Sequence, residues 1–157
     1  MKKVIFLDID GVLNVIPQGF DRYGGIFHQN FVDNLKWIIE ETSADIVISS
    51  TWRLMGFDEL LNMWRYRDLP GRVIGITPNR GISVYRGEEI CLWLSENKVD
   101  RYVIIDDDDD MLEHQFPYFV KTSENIDHPD CIDIGYGLTR ECARKAIEIL
   151  NYDKKIV

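Results

Sequence analysis

Residues 4 to 13 read Val-Ile-Phe-Leu-Asp-Ile-Asp-Gly-Val-Leu, an apolar run that delivers Asp8 and Asp10 at the point where a strand must stop. A strand apolar on both faces needs cover from both sides, which is the situation of a parallel sheet flanked by helices. Side chains alternate along a strand at period 2, so Asp8 and Asp10 start on the same side. Gly11 then lets the backbone leave the sheet sharply. Two carboxylates sharing one small volume raise one another's pKa or demand a cation, and a hard oxygen site at a strand end suits Mg²⁺.

Four further short runs repeat the pattern of strand followed by helical segment. Asp45 to Ser49 is continuous and β-branched, Arg72 to Ile76 is weaker, Tyr102 to Ile105 ends in a burst of Asp, and Tyr118 to Val120 is short. Between them, apolar residues fall at helical spacing over Phe31 to Ile39 and Glu89 to Leu94, and residues 57 to 66 form a third helix. The last helix begins after Thr139, a suitable N-cap, and runs through Ala143, Ala146, Ile147 and Leu150. This βαβα order predicts an α/β, Rossmann-like, doubly wound parallel sheet with right-handed connections. Residues 1 to 157 are expected to form one domain, long enough to bury about 70% of its unfolded surface.

Charge and cysteine usage narrow the setting. With 18 Lys plus Arg against 27 Asp plus Glu the formal charge is −9, which disfavours nonspecific attraction to nucleic acid or anionic membrane. Cys91, Cys131 and Cys142 are odd in number and lack CxxC spacing, so they read as ordinary thiols of a cytoplasmic protein. Lys2 and Lys3 precede an apolar run that Asp8 breaks, too short for a signal peptide or membrane span. His28, His114 and His128 have no ligand spacing for zinc. Nothing points to an obligate protein partner.

The run Asp106 to Asp110, alone, would be a solvated face. It follows Val103-Ile104-Ile105 directly, however, and ligands of open α/β sheets sit outside the carboxyl ends of the strands. The acids of the two strand ends are therefore expected to converge on one site.

Four features now line up in chain order: Asp8-Ile9-Asp10-Gly11, Ile48-Ser49-Ser50-Thr51, Arg86-Gly87-Glu88-Glu89-Ile90 at a helix start, and Ile105-Asp106-Asp107. In this order they resemble the four motifs of the haloacid dehalogenase (HAD) superfamily of phosphatases and phosphotransferases, over residues 4 to 122. The resemblance implies that Asp8 is a nucleophile forming an aspartyl-phosphate. Asp10 would be the general acid and then base, reaching the metal through its backbone carbonyl. Ser49, with Ser50 and Thr51 as neighbours, would donate to phosphate oxygens, although a turn capping the next helix is the simpler role for such hydroxyls. Arg86 would clamp phosphate oxygens through its planar fork. The superfamily more often has Lys there, and Arg80 and Arg53 are rivals. The metal ligands would be Asp8, Asp10, Asp106 and Asp107. Alternation along the strand lets only one of the last two face the metal, with Asp107 favoured and Asp106 orienting a water or Arg86. Asp108 to Asp110 read as solvated turn residues, with Asp110 open as an outer ligand.

Substrate choice in this superfamily rests largely on inserted caps. Asn14 to Asp45 holds a Gly-rich loop, Gly19 to Gly25, and one helix, enough for a flap but not a cap domain, and Trp52 to Tyr85 leaves no room for a lid. An open site suits phosphate on a large partner. The details Ser-Ser-Thr-Trp-Arg, Arg-Gly-Glu-Glu-Ile, Val-Ile-Ile-Asp-Asp and Gly137-Leu138-Thr139 resemble the HAD domain of RNA-repair proteins and the polynucleotide kinase 3′-phosphatase domain. They imply removal of a terminal phosphate from a nucleic-acid end or nucleotide. A small-molecule phosphatase is the alternative, and intact Asp8 and Asp10 argue against a non-catalytic binding module. Trp52 and Arg53 stand near the mouth of the site, where they could stack on a nucleotide or pack under the following loop.

Overall fold

A computed structural model describes residues 1–15, 17, 19–81, 84–123 and 137–152. Its centre is a five-stranded parallel sheet of order β5-β4-β1-β6-β7, formed by β1 (Lys3–Leu7), β4 (Asp45–Ile48), β5 (Val73–Ile76), β6 (Arg101–Asp106) and β7 (Phe119–Lys121). A separate two-stranded hairpin, β2 (Phe20–Asp21) with β3 (Gly24–Gly25), occupies the Gly-rich loop as the expected flap. The helices are α1 (Gln29–Thr42), α2 (Phe57–Tyr66), α3 (Arg86–Glu96) and α4 (Arg140–Asn151). Thr139 caps α4, its hydroxyl accepting from the Cys142 N–H, and His28 caps α1 in the same way at Asn30. Among the described residues no helix is long and apolar enough to cross a membrane.

The period-2 pattern sorts the strands onto two cores. Ile5, Leu7, Ile46, Ile48, Val103 and Ile105 face α1, α2 and α4, whereas Val4, Phe6, Val47 and Ile104 face Ile90 and Trp93 of α3. Both faces of β1 are therefore dry, and Val4 to Leu7 have no exposed surface. The chain moves outward through α1 and α2 on one face, then returns past β1 and moves the other way with α3 on the opposite face. Right-handed crossovers require that change of face. The order reverses beside β1, so the crevice for a ligand lies outside the carboxyl ends of β1 and β6.

Three backbone hydrogen bonds bring distant segments to that edge. The Leu138 N–H donates to the Val12 carbonyl at 2.9 Å, joining the start of α4 to the loop after β1. The Asp8 N–H donates to Ile105 at 3.0 Å and the Ser49 N–H to Leu7 at 2.9 Å, so the sheet's hydrogen bonding continues one residue past β1 and β4.

Candidate active site

Asp8 and Asp106 stand at adjacent strand ends, and β6 stops at Asp106, which frees Asp107 from the strand's alternation. Carboxylate oxygens of Asp8, Asp106 and Asp107 consequently lie within 4.8 Å of one another. The expectation that only one of Asp106 and Asp107 could reach the common point is corrected by this bend. Gly11 makes the approach feasible: its φ is +81°, and a Cβ there would stand 2.2 Å from Asp107 Oδ2. The Ser123 hydroxyl donates to the Asp107 carbonyl at 2.8 Å, and Thr122 donates to the Gly11 carbonyl at 2.8 Å, fixing both sides of the contact.

Asp8 is 7% and Asp106 2% exposed, and the Oδ2 of Asp106 is buried without a hydrogen-bond partner. Burial pushes the Asp8 carboxyl up to about 7 against the pull of Arg86, with Asp107 adding to the rise. Burial, and next the Asp8 charge, push Asp106 well above the usual carboxylate range. Burial and mutual repulsion thus favour the protonated forms of Asp8 and Asp106, a bias that a cation would oppose. Three carboxylates against one nearby guanidinium leave a formal excess of two negative charges. A hard divalent cation such as Mg²⁺ fits that donor set in charge and in ligand chemistry.

Arg86 opens α3, with Nη1 3.4 Å from Asp8 Oδ1 and Nε 3.6 Å from Asp106 Oδ2. Its own burial works against its charge, but Asp106, Asp8, Asp110 and Glu89 outweigh burial and raise its pKa. Gly87 lets this helix start sit tightly against the segment after β6, since a Cβ there would lie 2.4 Å from Gln115 Oε1. The Gln115 amide donates to the Gly87 carbonyl at 2.8 Å. Asp110 takes the Arg86 N–H on its carboxylate at 3.1 Å and the Gly87 N–H on its carbonyl at 3.0 Å. It is thus a helix-start anchor rather than a solvated turn residue.

The rival arginine, Arg53, is engaged elsewhere. It is buried and forms an ion pair with Glu89, Nη2 lying 2.9 Å from Oε1 and 3.0 Å from Oε2. Glu89 also accepts the Arg80 N–H at 2.7 Å, tying the loop after β5 to α3. Sequence reasoning missed Glu89 because its partners are 36 and nine residues away across loops. A carboxylate one turn before Trp93, on the buried face of α3, was the available signal.

Ser49, just past the end of β4, is 1% exposed, and its buried hydroxyl has no hydrogen-bond partner. The Ser50 hydroxyl instead accepts the Trp52 N–H at 3.2 Å and caps the 3₁₀ turn Thr51–Met55, the simpler of the two roles weighed for it. Asp10 also departs from the expected geometry. Its carboxylate is exposed, lies outside the Asp8, Asp106 and Asp107 group, and accepts from Asn14 and Trp52. β1 has ended by Leu7, so the period that would have placed Asp10 beside Asp8 no longer applies. Cys91 is exposed and Cys142 buried, while Cys131 and His128 lie outside the described residues.

A parallel sheet with a catalytic-type crevice at its switch point, acids on two strand ends and a cation on a helix start define a HAD-type α/β protein. Residues 4–126 match the family described as the HAD domain in Swiss Army Knife RNA repair proteins, and the chain belongs to that family. No curated protein and no solved structure matches it.

Proposed function

We propose that the chain is a Mg²⁺-dependent phosphomonoesterase that works through an aspartyl-phosphate on Asp8 and removes terminal phosphate from nucleic-acid ends or nucleotides. The observation that carries this reading is the convergence of Asp8, Asp106 and Asp107 beside Arg86, a buried acid group with too little positive charge of its own. A divalent ion would be held by the Asp8, Asp106 and Asp107 side chains, with the Asp10 backbone carbonyl as a further oxygen. When bound, the divalent ion offsets the repulsion between an anionic nucleophile and an anionic phosphate.

The chain's own groups then divide the work. An ionised Asp8 oxygen attacks phosphorus as the P–O ester bond breaks, and the departing oxygen takes a proton from Asp10. Asp10, now a carboxylate, accepts a proton from water, whose oxygen attacks phosphorus, releasing phosphate and restoring Asp8. Arg86 clamps phosphate oxygens in both steps, and Ser49 donates without adding charge, holding the group in line.

The RNA-repair description of the family and the absence of a cap among the described residues favour a nucleic-acid end over a small sugar. The thiols and the acidic charge fit a cytoplasmic enzyme acting on a short or single-nucleotide target. The test is phosphate release, with Mg²⁺, from 3′-phosphorylated oligonucleotides, mononucleotides and sugar phosphates, with Asp8→Asn as control. Release from the nucleotide substrates that vanishes in Asp8→Asn is the expected result. Equal release by both proteins removes Asp8 from the nucleophile role, and activity confined to sugars removes the nucleic-acid reading. Polynucleotide action should also weaken as salt rises.

A further inference from the structure

Asp10 is exposed, yet one of its oxygens is doubly held. Oδ1 accepts from Asn14 Nδ2 at 2.8 Å and from Trp52 Nε1 at 3.0 Å. Asn14 belongs to the same tight loop, whereas Trp52 arrives from the turn after β4, 42 residues away. An ionised carboxyl has acceptor sites on both oxygens, so two donors on one oxygen fix its plane and leave Oδ2 open.

The indole is itself held from behind. Phe27 meets it edge-on at 5.3 Å between ring centroids, and the Arg67 guanidinium lies 5.6 Å from its centroid. A ring engaged in this way is poorly placed to serve as a stacking platform for a base. Arg67 is fastened to the hairpin by Asp21 at 2.7 and 2.9 Å and by the carbonyls of Gly24 and Gly25 at 3.2 and 2.9 Å. Hairpin, Arg67, Trp52 and Asp10 therefore form one continuous line of contacts from the surface to the acid.

We propose that Trp52 is a positioning residue for Asp10, its indole N–H holding Oδ1 so that Oδ2 faces the departing oxygen, with the Arg67-pinned hairpin setting the indole. This rests on the phosphomonoesterase reading above. In the step concerned, the Asp10 Oδ2 proton passes to the ester oxygen as its bond to phosphorus breaks.

Trp52→Phe keeps an aromatic ring in place and deletes the N–H. Mispositioning a general acid slows esters whose leaving group needs a proton and spares those whose leaving group does not. With an alkyl phosphate, kcat should fall about tenfold while KM stays within about twofold. With 2,4-dinitrophenyl phosphate, kcat should change by less than about twofold. An equal loss on both esters, or no loss on either, overturns the proposal and leaves the phosphatase reading standing. A wild-type protein inert toward both esters overturns that reading and the proposal with it. Should Trp52→Phe fail to fold, the indole N–H resonance of Trp52 in the wild type decides: displacement by Asp10→Asn supports the contact, and an unmoved resonance overturns it.

Discussion

The two sides of the crevice are built on opposite principles. On the β6 side, Asp8, Asp106 and Asp107 crowd together, an Asp106 oxygen has no hydrogen-bond partner, and Arg86 donates to Asp8 at 3.4 Å while its Nε stands 3.6 Å from Asp106 without bonding it. On the flap side, Asp10 has two donors, Arg67 has four acceptor contacts, and Asp21 is held below the usual carboxylate range by its hydrogen bonds from Arg67. An under-satisfied buried charge is costly in the absence of a ligand, and a satisfied network rigidifies its neighbourhood. One side is short of donors and positive charge; the other has its polar groups already paired.

That contrast breaks most visibly at Arg86. Arg86→Ala should lower turnover by roughly 10²–10³-fold, the scale for removing a transition-state donor, with little loss of melting temperature because the acids it leaves are relieved by Mg²⁺. A thermal scan alongside the steady-state assay reads both; a collapse of the fold with unchanged turnover of the folded fraction would move Arg86 to the holding side. Gly11→Ala should come next, weakening Mg²⁺ binding by roughly 10–100-fold, as displacement of a supporting contact does. The new Cβ would meet Asp107 Oδ2, and calorimetric titration with Mg²⁺ measures the loss.

On the opposite side, Arg67→Met should cost about 1.5 kcal/mol of stability through the lost charged hydrogen bonds. A denaturant titration reads the cost, and Mg²⁺ affinity should stay near that of the wild type. The smallest effect is a shift with pH. An Asp8 carboxyl raised from 3.8 to about 7 means that the folded state holds its proton more tightly than the unfolded state. Metal-free stability is then untouched below 3.8 and falls as pH rises toward about 7. A cation takes the proton's place, so Mg²⁺ should raise the melting temperature more at about pH 8 than at about pH 5. Equal shifts at both would place the cation away from Asp8.

The sheet was legible because its strands are short apolar runs stopped by polar residues, and the structure ends β1, β4 and β6 within a residue or two of those stops. The meeting of the β1 and β6 acids followed from the same pattern through the rule for open α/β sheets. Where alternation was carried past a strand end it misled: Asp10 turned toward Trp52, and Asp106 and Asp107 came together instead of parting. The pairs Arg53–Glu89 and Arg67–Asp21 join residues 36 and 46 apart through loops with no repeating period, so nothing in the linear pattern marked them. Arg53 and Arg86 look alike in sequence; only burial beside Glu89 separates a structural cation from one that meets the acids.

The bond from Leu138 to the Val12 carbonyl reaches across the molecule from a segment that begins after the stretch shared with the family ends. A fragment cut at residue 126 would keep every group assigned to chemistry, yet it would lose the brace on the turn that carries Asp10 and the helix that covers Phe31 and Leu35. The stretch shared with the family is therefore shorter than the stretch that packs around the crevice.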